Sequence, residues 1–569
     1  MRIRSAILAF SWVALIQASI SHALPPGIEK TWLISDDLAR YREQTQPTWA
    51  PYPEGFAADL PNASTFKEPR QMTSRLIPVQ EYGMRFFDPV IHESGTTIRL
   101  PADAQATLVQ PDWAGIFQAP KLSSIKFGVH INEVSGTWPD AWSLNEKVSF
   151  KPASNAKLFS ALLALTELGT QFRFRTEITA EWVGKKSDGV VRKLTLHASG
   201  DPSWGLWDSA AVGTFPELTS LAASLRYLGV KKVLGPVSVQ AKDSRLNDLR
   251  IPSGWSFGDT IACYGTAYQA VNLQANCATY QVTGNTTGKW LETGVPIPVK
   301  VVATTGTVTD LVLTAKMDAR EQPISYTISG TLIAGATPNF VLPIPNATQW
   351  AINVLTTKLT QQGVVFEKEN TTLPSSGLTL THSYASRTLG QILVPFMKLS
   401  INLVGDGFFR YLGSLKSPAE PNLWKAGADL MEVTLRNAGI SDFYLEDGSG
   451  ISHDNRVQPL TLLSTLIALR ERADFPTLWS SLPIAGRDGT LASRMKGTQA
   501  EGYLRAKTGT LTGTYNLSGY VPETDLSGKV LRYIPFVMIN QTTGAFGTQA
   551  RQTANEACIS LSNFVRAVP

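Results

Sequence analysis

The feature that most constrains this chain is a pairing of its early and final segments. A strongly apolar helix pattern, SNAKLFSALLALTELG, opens at Ser154, with Leu158, Leu162, Leu165 and Leu168 near helical spacing and Gly169 as a stop. A strand pattern, IKFGVHINEV, runs just before it from Ile125. The far end carries strand patterns near 502–509, 514–521 and 531–540, closed by a helix near 549–566. A helix-rich start and a strand–strand–strand–helix end suggest an α+β domain interrupted by a large insertion.

The insertion reads as β-rich. Residues 180–345 are rich in Thr, Val and Gly in short alternating runs such as VVRKLTLHA and YTISGTLIAG, with one helix near 216–228. Further helical patterns lie at 347–362, 387–413 and 458–472, and no internal repeat is visible. The expected organisation is a signal peptide at 1–23, an N-terminal extension of uncertain fold at 24–120, and the first part of the α+β domain at 121–178. Inserted β-rich domains follow at 179–384, and the second part of the domain at 385–569. The extension is irregular and proline-rich, and no chemistry is read from it. The signal peptide rests on basic Arg2 and Arg4, an apolar run from Ala6 to Ile16, and small Ser21 and Ala23 at the cleavage positions. No later stretch of about 20 apolar residues exists, so the mature protein is expected to be soluble or peripherally associated with membrane or cell wall.

Composition removes several function classes. With 43% apolar and 17% charged residues, the chain of 569 residues is globular rather than disordered. A net charge of +5 without basic runs gives no footprint for nucleic acid. Six histidines without ligand-spaced clusters give no metal site, and no cofactor is implied. Three cysteines exclude a disulfide-dense scaffold. An exported chain can keep disulfides, and a bridge between Cys263 and Cys277 would close a short loop, leaving Cys558 as a buried thiol in the last helix.

Three short motifs carry chemistry. K-T-G occurs once, at Lys507-Thr508-Gly509, where a strand edge can offer backbone donors to an extended peptide. An ammonium and hydroxyls alongside can hold a terminal carboxylate, and Gly509 would let the ligand approach the backbone. S-x-x-K recurs along the chain, as at Ser123/Lys126, Ser154/Lys157 and Ser493/Lys496, but only Ser154 opens a periodic helix. Three residues along a helix put Lys157 within reach of the Ser154 hydroxyl, and a helix N-terminus offers free N–H groups to an oxyanion. A lysine serves as the base if burial and cationic neighbours depress its pKa. The plain alternative is that Ser154 merely caps the helix. S-x-N occurs as Ser143-Leu144-Asn145 and Ser400-Ile401-Asn402, the second between two helical segments, where a hydroxyl could relay a proton and an amide bind a carbonyl. Singly each motif is weak; the ordered set is specific.

With that set the chain resembles the serine penicillin-recognising enzymes. Its long gap from Ser154 to Ser400 is similar to that of the class C low-molecular-mass penicillin-binding proteins. These are the D-alanyl-D-alanine carboxypeptidase/endopeptidases of the penicillin-binding protein 4 type. Further stretches agree: Gly254, Trp255 and Asp259 ahead of Cys263 and Cys277, DGSGIS from Asp447, LPIAGRDGTL from Leu482, and KTGTLTGTYNLSGY from Lys507. The resemblance spans about 121–569 and implies a serine β-lactamase/penicillin-binding transpeptidase-like domain, an antiparallel sheet flanked by helices.

It further implies that Ser154 attacks the carbonyl between two D-residues, Lys157 takes its proton, Ser400 passes a proton to the leaving amine, and Asn402 holds the substrate amide. Lys507 adds positive charge, Thr508 and Thr510 bind the terminal carboxylate, and the N–H groups of Ser154 and Thr510 form the oxyanion hole. The substrates implied are peptidoglycan stem peptides and cross-links in the periplasm, and β-lactam antibiotics would acylate Ser154. The positions matching the family's contacts to the side-chain end of the stem peptide are Asp259, Tyr264, His453 and Thr512. Two of the family's features differ: Ile401 stands where Asp is frequent, and His453 replaces an Arg, removing a fixed positive charge. A β-lactamase or esterase of the same superfamily, and a catalytically weak cell-wall-binding scaffold, are the alternatives.

Overall fold

The computed structural model describes residues 31–33, 111–131, 141–206, 214–318, 322–367, 375–524 and 528–566. The signal peptide expected at 1–23 and nearly all of the extension expected at 24–120 lie outside the described residues. The two ends of the chain meet in one five-stranded antiparallel sheet. Its order is Arg505–Leu511, Thr514–Thr524, Val530–Thr542, Ile125–Ile131, Trp142–Leu144.

Both faces of this sheet are covered, which explains the unbroken apolar run Tyr533–Ile539 in its central strand. Alternate residues of Val530–Thr542 serve different cores: Phe536 and Met538 face the C-terminal helix Gly547–Arg566, while Val537 and Ile539 join the helical core on the other side. That second core includes helix Lys157–Leu168, whose first nine residues, mostly apolar, are all buried. Residues ahead of the expected boundary at 121 also pack on this sheet. A short helix, Trp113–Phe117, is capped by Asp112, and its Phe117 stacks on Trp142 with ring centroids 5.6 Å apart.

The chain leaves the domain along Arg175–Val183 and returns along Ser375–Ala385. These strands pair antiparallel, Arg175 opposite Ala385, so the insertion departs and returns side by side. It holds a six-strand sheet that includes Val190–Ala198 and Val237–Ala241, two smaller sheets, and helices Pro216–Tyr227 and Ala347–Gln361 packed together. Thr31–Leu33 pairs with Asp310–Met317 at the edge of one of the smaller sheets.

Several helices differ from expectation, among them the short Phe475–Ser481, which the sequence pattern did not show. The 387–413 pattern is two helices, Leu389–Lys398 and Asn402–Lys416, broken where Ser400 takes a left-handed φ of +58°. A helix at Leu423–Asn437, capped by Asn422 and packed on Asn402–Lys416, was not anticipated. No helix among the described residues is long and apolar enough to cross a membrane.

Candidate active site

Ser154 does not cap the helix. It sits in a 3₁₀ turn, Ala153–Ala156, that precedes the α-helix beginning at Lys157, and neither start carries a side-chain cap. Ala153, just before the serine, has a left-handed φ of +47°, a conformation costing about 1 kcal/mol or more that must be held by its surroundings. Four contacts hold it. Gly450 presses so closely that a Cβ there would lie 1.9 Å from the Ala153 carbonyl oxygen. Asn155 Nδ2 donates to Ser518 Oγ at 2.7 Å, and Asn516 Nδ2 donates to the Lys151 and Pro152 carbonyls, both at 2.9 Å. The turn is thus tied to the second strand of the sheet.

Lys157 is fully buried, and its ammonium nitrogen donates to Ser154 Oγ at 2.8 Å, Asn402 Oδ1 at 2.5 Å and the Ser449 carbonyl at 2.7 Å. Burial drives its pKa down to about 7, against the opposing pull of Asp406 and Asp447. These two carboxylates reach the lysine through the Asp447–Gly450 loop. Asp406 accepts from Gly448 N at 3.1 Å, and Asp447 accepts from Gly450 N and Ser452 N. The DGSGIS segment therefore supplies the third acceptor for Lys157, a role invisible in its sequence because it is played by a main-chain carbonyl.

Lys507, also fully buried, donates to Ser400 Oγ at 2.8 Å and the Thr508 carbonyl at 2.7 Å. Desolvation, and then the neighbouring Lys157, hold its pKa well below the usual lysine value. Asn402 Nδ2 donates to the Tyr264 carbonyl at 2.8 Å, so this asparagine spans the lysine and the insertion. Thr508 Oγ1 meets Thr490 Oγ1 at 2.9 Å.

Strand Arg505–Leu511 is the last in the sheet. Its start is covered by Pro483–Ala485, through Ala506 N to the Pro483 carbonyl and Ala485 N to the Leu504 carbonyl. No further backbone pairing follows on that edge among the described residues, so Thr508–Thr510 can receive an extended peptide. Gly509 has another use than the expected one. Its missing Cβ makes room for the serine turn, since a Cβ would lie 2.8 Å from the Pro152 carbonyl oxygen and 3.2 Å from Asn155 N.

The remaining sequence-predicted residues form an outer cluster, with one exception. Asp259 Oδ2 accepts from Ser256 N and Oγ, and Asp259 Oδ1 accepts from the Tyr264 hydroxyl at 3.0 Å. Cys263 and Cys277 are bridged, anchoring this segment to strand Cys277–Val282. His453 Nδ1 lies 3.2 Å from Lys151 Nζ, and its pKa is lowered by burial and then by Lys151. Sequence reasoning missed Lys151; its only signal was a basic residue next to the serine motif. Thr512 sits exposed in the turn after Leu511, and no hydrogen bond among the described residues joins it to the cluster. The other motif copies are separate: Asn145 is used on the Phe127 carbonyl, and Lys126 and Lys496 are exposed. Among the described residues no group of three or more His, Cys, Asp or Glu can hold a metal ion.

A hydroxyl on a buried amine of depressed pKa, beside an open strand edge on an α+β sheet, defines a serine hydrolase of the acyl-transfer kind. The profile of the D-Ala-D-Ala carboxypeptidase 3 (S13) family matches residues 110–561, and the chain belongs to that family. It is 30% identical over 457 residues to the D-alanyl-D-alanine carboxypeptidase of Actinomadura sp. (strain R39), covering 74% of this chain and 79% of that one. It is 28% identical over 407 residues to D-alanyl-D-alanine carboxypeptidase DacB of Haemophilus influenzae, covering 68% and 80%. Among solved structures, penicillin binding protein 4 from Haemophilus influenzae superposes with a TM-score of 0.62 at 24% identity, covering 79% of this chain and 100% of that one, a likeness of fold. The activity class is accordingly serine-type D-Ala-D-Ala carboxypeptidase.

Proposed function

We propose that this carboxypeptidase acts on peptidoglycan stem peptides and cross-links through an acyl-enzyme on Ser154, releasing terminal D-Ala and also cutting D,D-cross-links. The observation that carries the reading is the fully buried Lys157, whose nitrogen lies 2.8 Å from the Ser154 hydroxyl and whose pKa falls to about 7. Near neutral pH a sizeable fraction of this amine is free to accept a proton.

Ser154 Oγ attacks the carbonyl carbon of the D-Ala-D-Ala bond while its proton passes to Lys157. The developing oxyanion is held by the N–H groups of Ser154 and Thr510. Collapse breaks the C–N bond, and the proton held by Lys157 reaches the leaving amine through Ser400. Water then gives a proton to Lys157 as its oxygen attacks the ester carbonyl, and that proton returns to Ser154 Oγ as the ester C–O bond breaks. Thr508 and Thr510 hold the terminal carboxylate at the strand edge, and a carboxylate bound there favours the protonated form of Lys507 that burial otherwise opposes. Asp259, Tyr264 and His453, with Lys151 beside them, form the surface that meets the side-chain end of the stem peptide; Thr512 stands at its rim. The export-signal pattern at 1–23 and the Cys263–Cys277 bridge support work in the periplasm.

Intact-mass analysis after incubation with benzylpenicillin, followed by peptide mapping, tests the reading. A slowly lost adduct on Ser154 is expected in wild type and in Ser123→Ala, and none in Ser154→Ala. A folded wild-type protein that forms no adduct, or that turns the drug over rapidly, would overturn it.

A further inference from the structure

Ser400 is held by more than its hydrogen bond to Lys507. Two residues earlier, Lys398 ends helix Leu389–Lys398 and is nearly buried. Its ammonium pairs with Asp488 at 2.5 Å, the two side chains being 10% and 15% exposed. The other oxygen of Asp488 accepts from Ile484 N at 2.7 Å, closing the turn that lies against the start of strand Arg505–Leu511. The next residue, Gly489, has φ +56°, and a Cβ on it would sit 2.6 Å from the Lys398 carbonyl oxygen, so the two backbones touch. Thr490 follows directly and bonds Thr508 at 2.9 Å. A continuous line of contacts therefore runs from Lys398 through Asp488, Gly489 and Thr490 to Thr508, parallel to the Ser400–Lys507 bond. Burial lowers the Lys398 pKa to about 8; Asp488 opposes this and Arg505, from the strand side, adds to it. The ammonium is thus retained by one carboxylate.

We infer that the Lys398–Asp488 pair is a positioning device that sets Ser400 and the Thr490–Thr508 pair in register with each other. It joins the helical half of the centre, which carries the proton relay, to the strand half, which carries the carboxylate-binding edge. Neither residue touches the reacting atoms. This rests on the acyl-enzyme reading above. Misplacement of a reacting group by about 1 Å can cost on the order of 100-fold in rate, so a seam that stays folded but loses its clamp should slow chemistry without unfolding the protein.

The test measures the first-order acylation constant with benzylpenicillin and kcat and KM on a D-Ala-D-Ala peptide, with thermal melting alongside. Lys398→Met and Asp488→Asn should each slow acylation by about 10–100-fold. The double variant should be no slower than either single one, because the two residues act as one unit. Lys398→Arg, which keeps a cation able to reach Asp488, should recover most of the rate. If Lys398→Met does not fold, the near-isosteric Asp488→Asn carries the same test. Folded variants that melt lower but acylate at the wild-type rate would reduce the pair to a stabilising ion pair and overturn the inference. A wild-type protein without an adduct would instead count against the acyl-enzyme reading.

Discussion

Two regions of this molecule bury pairs of like charges, and only one of them is built for chemistry. In the sheet domain Lys157 and Lys507 are fully buried, and both are pushed toward the neutral amine. In the insertion Asp201 and Glu217 are 4% and 8% exposed, and burial raises their pKa values to about 6 and about 7. In each region burial shifts the pKa values toward the neutral forms, for the same physical reason. The difference lies in their hydrogen bonds. Lys157 and Lys507 each reach a serine hydroxyl next to an open strand edge. Asp201 accepts from Ser203 N and Oγ, and Glu217 from Gly205 N, all bonds that shape a loop and a helix start. A displaced pKa marks burial; what marks a reaction centre is the atom the displaced group can pass a proton to.

The sharpest way to break this comparison is to neutralise each region in turn. Lys157→Met should slow benzylpenicillin acylation of Ser154 by about 100–10,000-fold, the usual range for a general base. Glu217→Gln should leave that rate unchanged. An equal loss in both, measured by stopped-flow or quenched mass spectrometry, would mean that the insertion pair belongs to the centre.

The pH dependence of acylation sharpens the contrast further. Lys157 works as a base only when unprotonated, so the rate should climb as pH rises through about 7 and then level off. Glu217→Gln should leave this profile in place. A flat profile between pH 5 and 9 would remove Lys157 from the proton path.

The smallest effect concerns stability, and its sign is opposite to that of a salt-bridged acid. The folded pKa of Glu217 is raised from 4.5 to about 7, so its favourable contribution is full below its unfolded value and is lost as pH rises through the folded one. Glu217→Gln should gain about 3 kcal/mol relative to wild type on going from pH 4 to pH 8, read as the difference between melting curves at the two pH values. A difference that stays constant with pH would show that Glu217 keeps its charge in the fold.

Much of the centre was legible because its motifs are local. Ser154 and Lys157 are one helical turn apart, and Lys507, Thr508 and Gly509 lie on one strand. The uses of some of these residues were not legible. Sequence alone left a plain helix cap as the alternative for Ser154, and the 3₁₀ turn instead places its oxygen on Lys157. Gly509 looked like room for a ligand, but its space is taken by the serine turn. Ser449 and Tyr264 act through carbonyl oxygens, which every residue possesses, so composition and spacing carry no trace of them. Nothing in the sequence marks the pairing of Lys151 with His453 or of Lys398 with Asp488, because burial and pairing are decided by segments far away in the chain.

By itself, then, the sequence determined the α+β architecture split by a β-rich insertion, through apolar periods of two and of helical spacing, and the ordered serine–lysine, serine–asparagine and lysine–threonine–glycine set. Tertiary structure alone decided which copies of those motifs meet. It buried both lysines until desolvation overcame their preference for charge, and it set Ala153 and Ser400 in left-handed conformations that only surrounding packing can maintain. Periodicity is a property of neighbouring residues; desolvation and strain belong to contacts between segments more than 200 residues apart, such as Lys157 and Asn402.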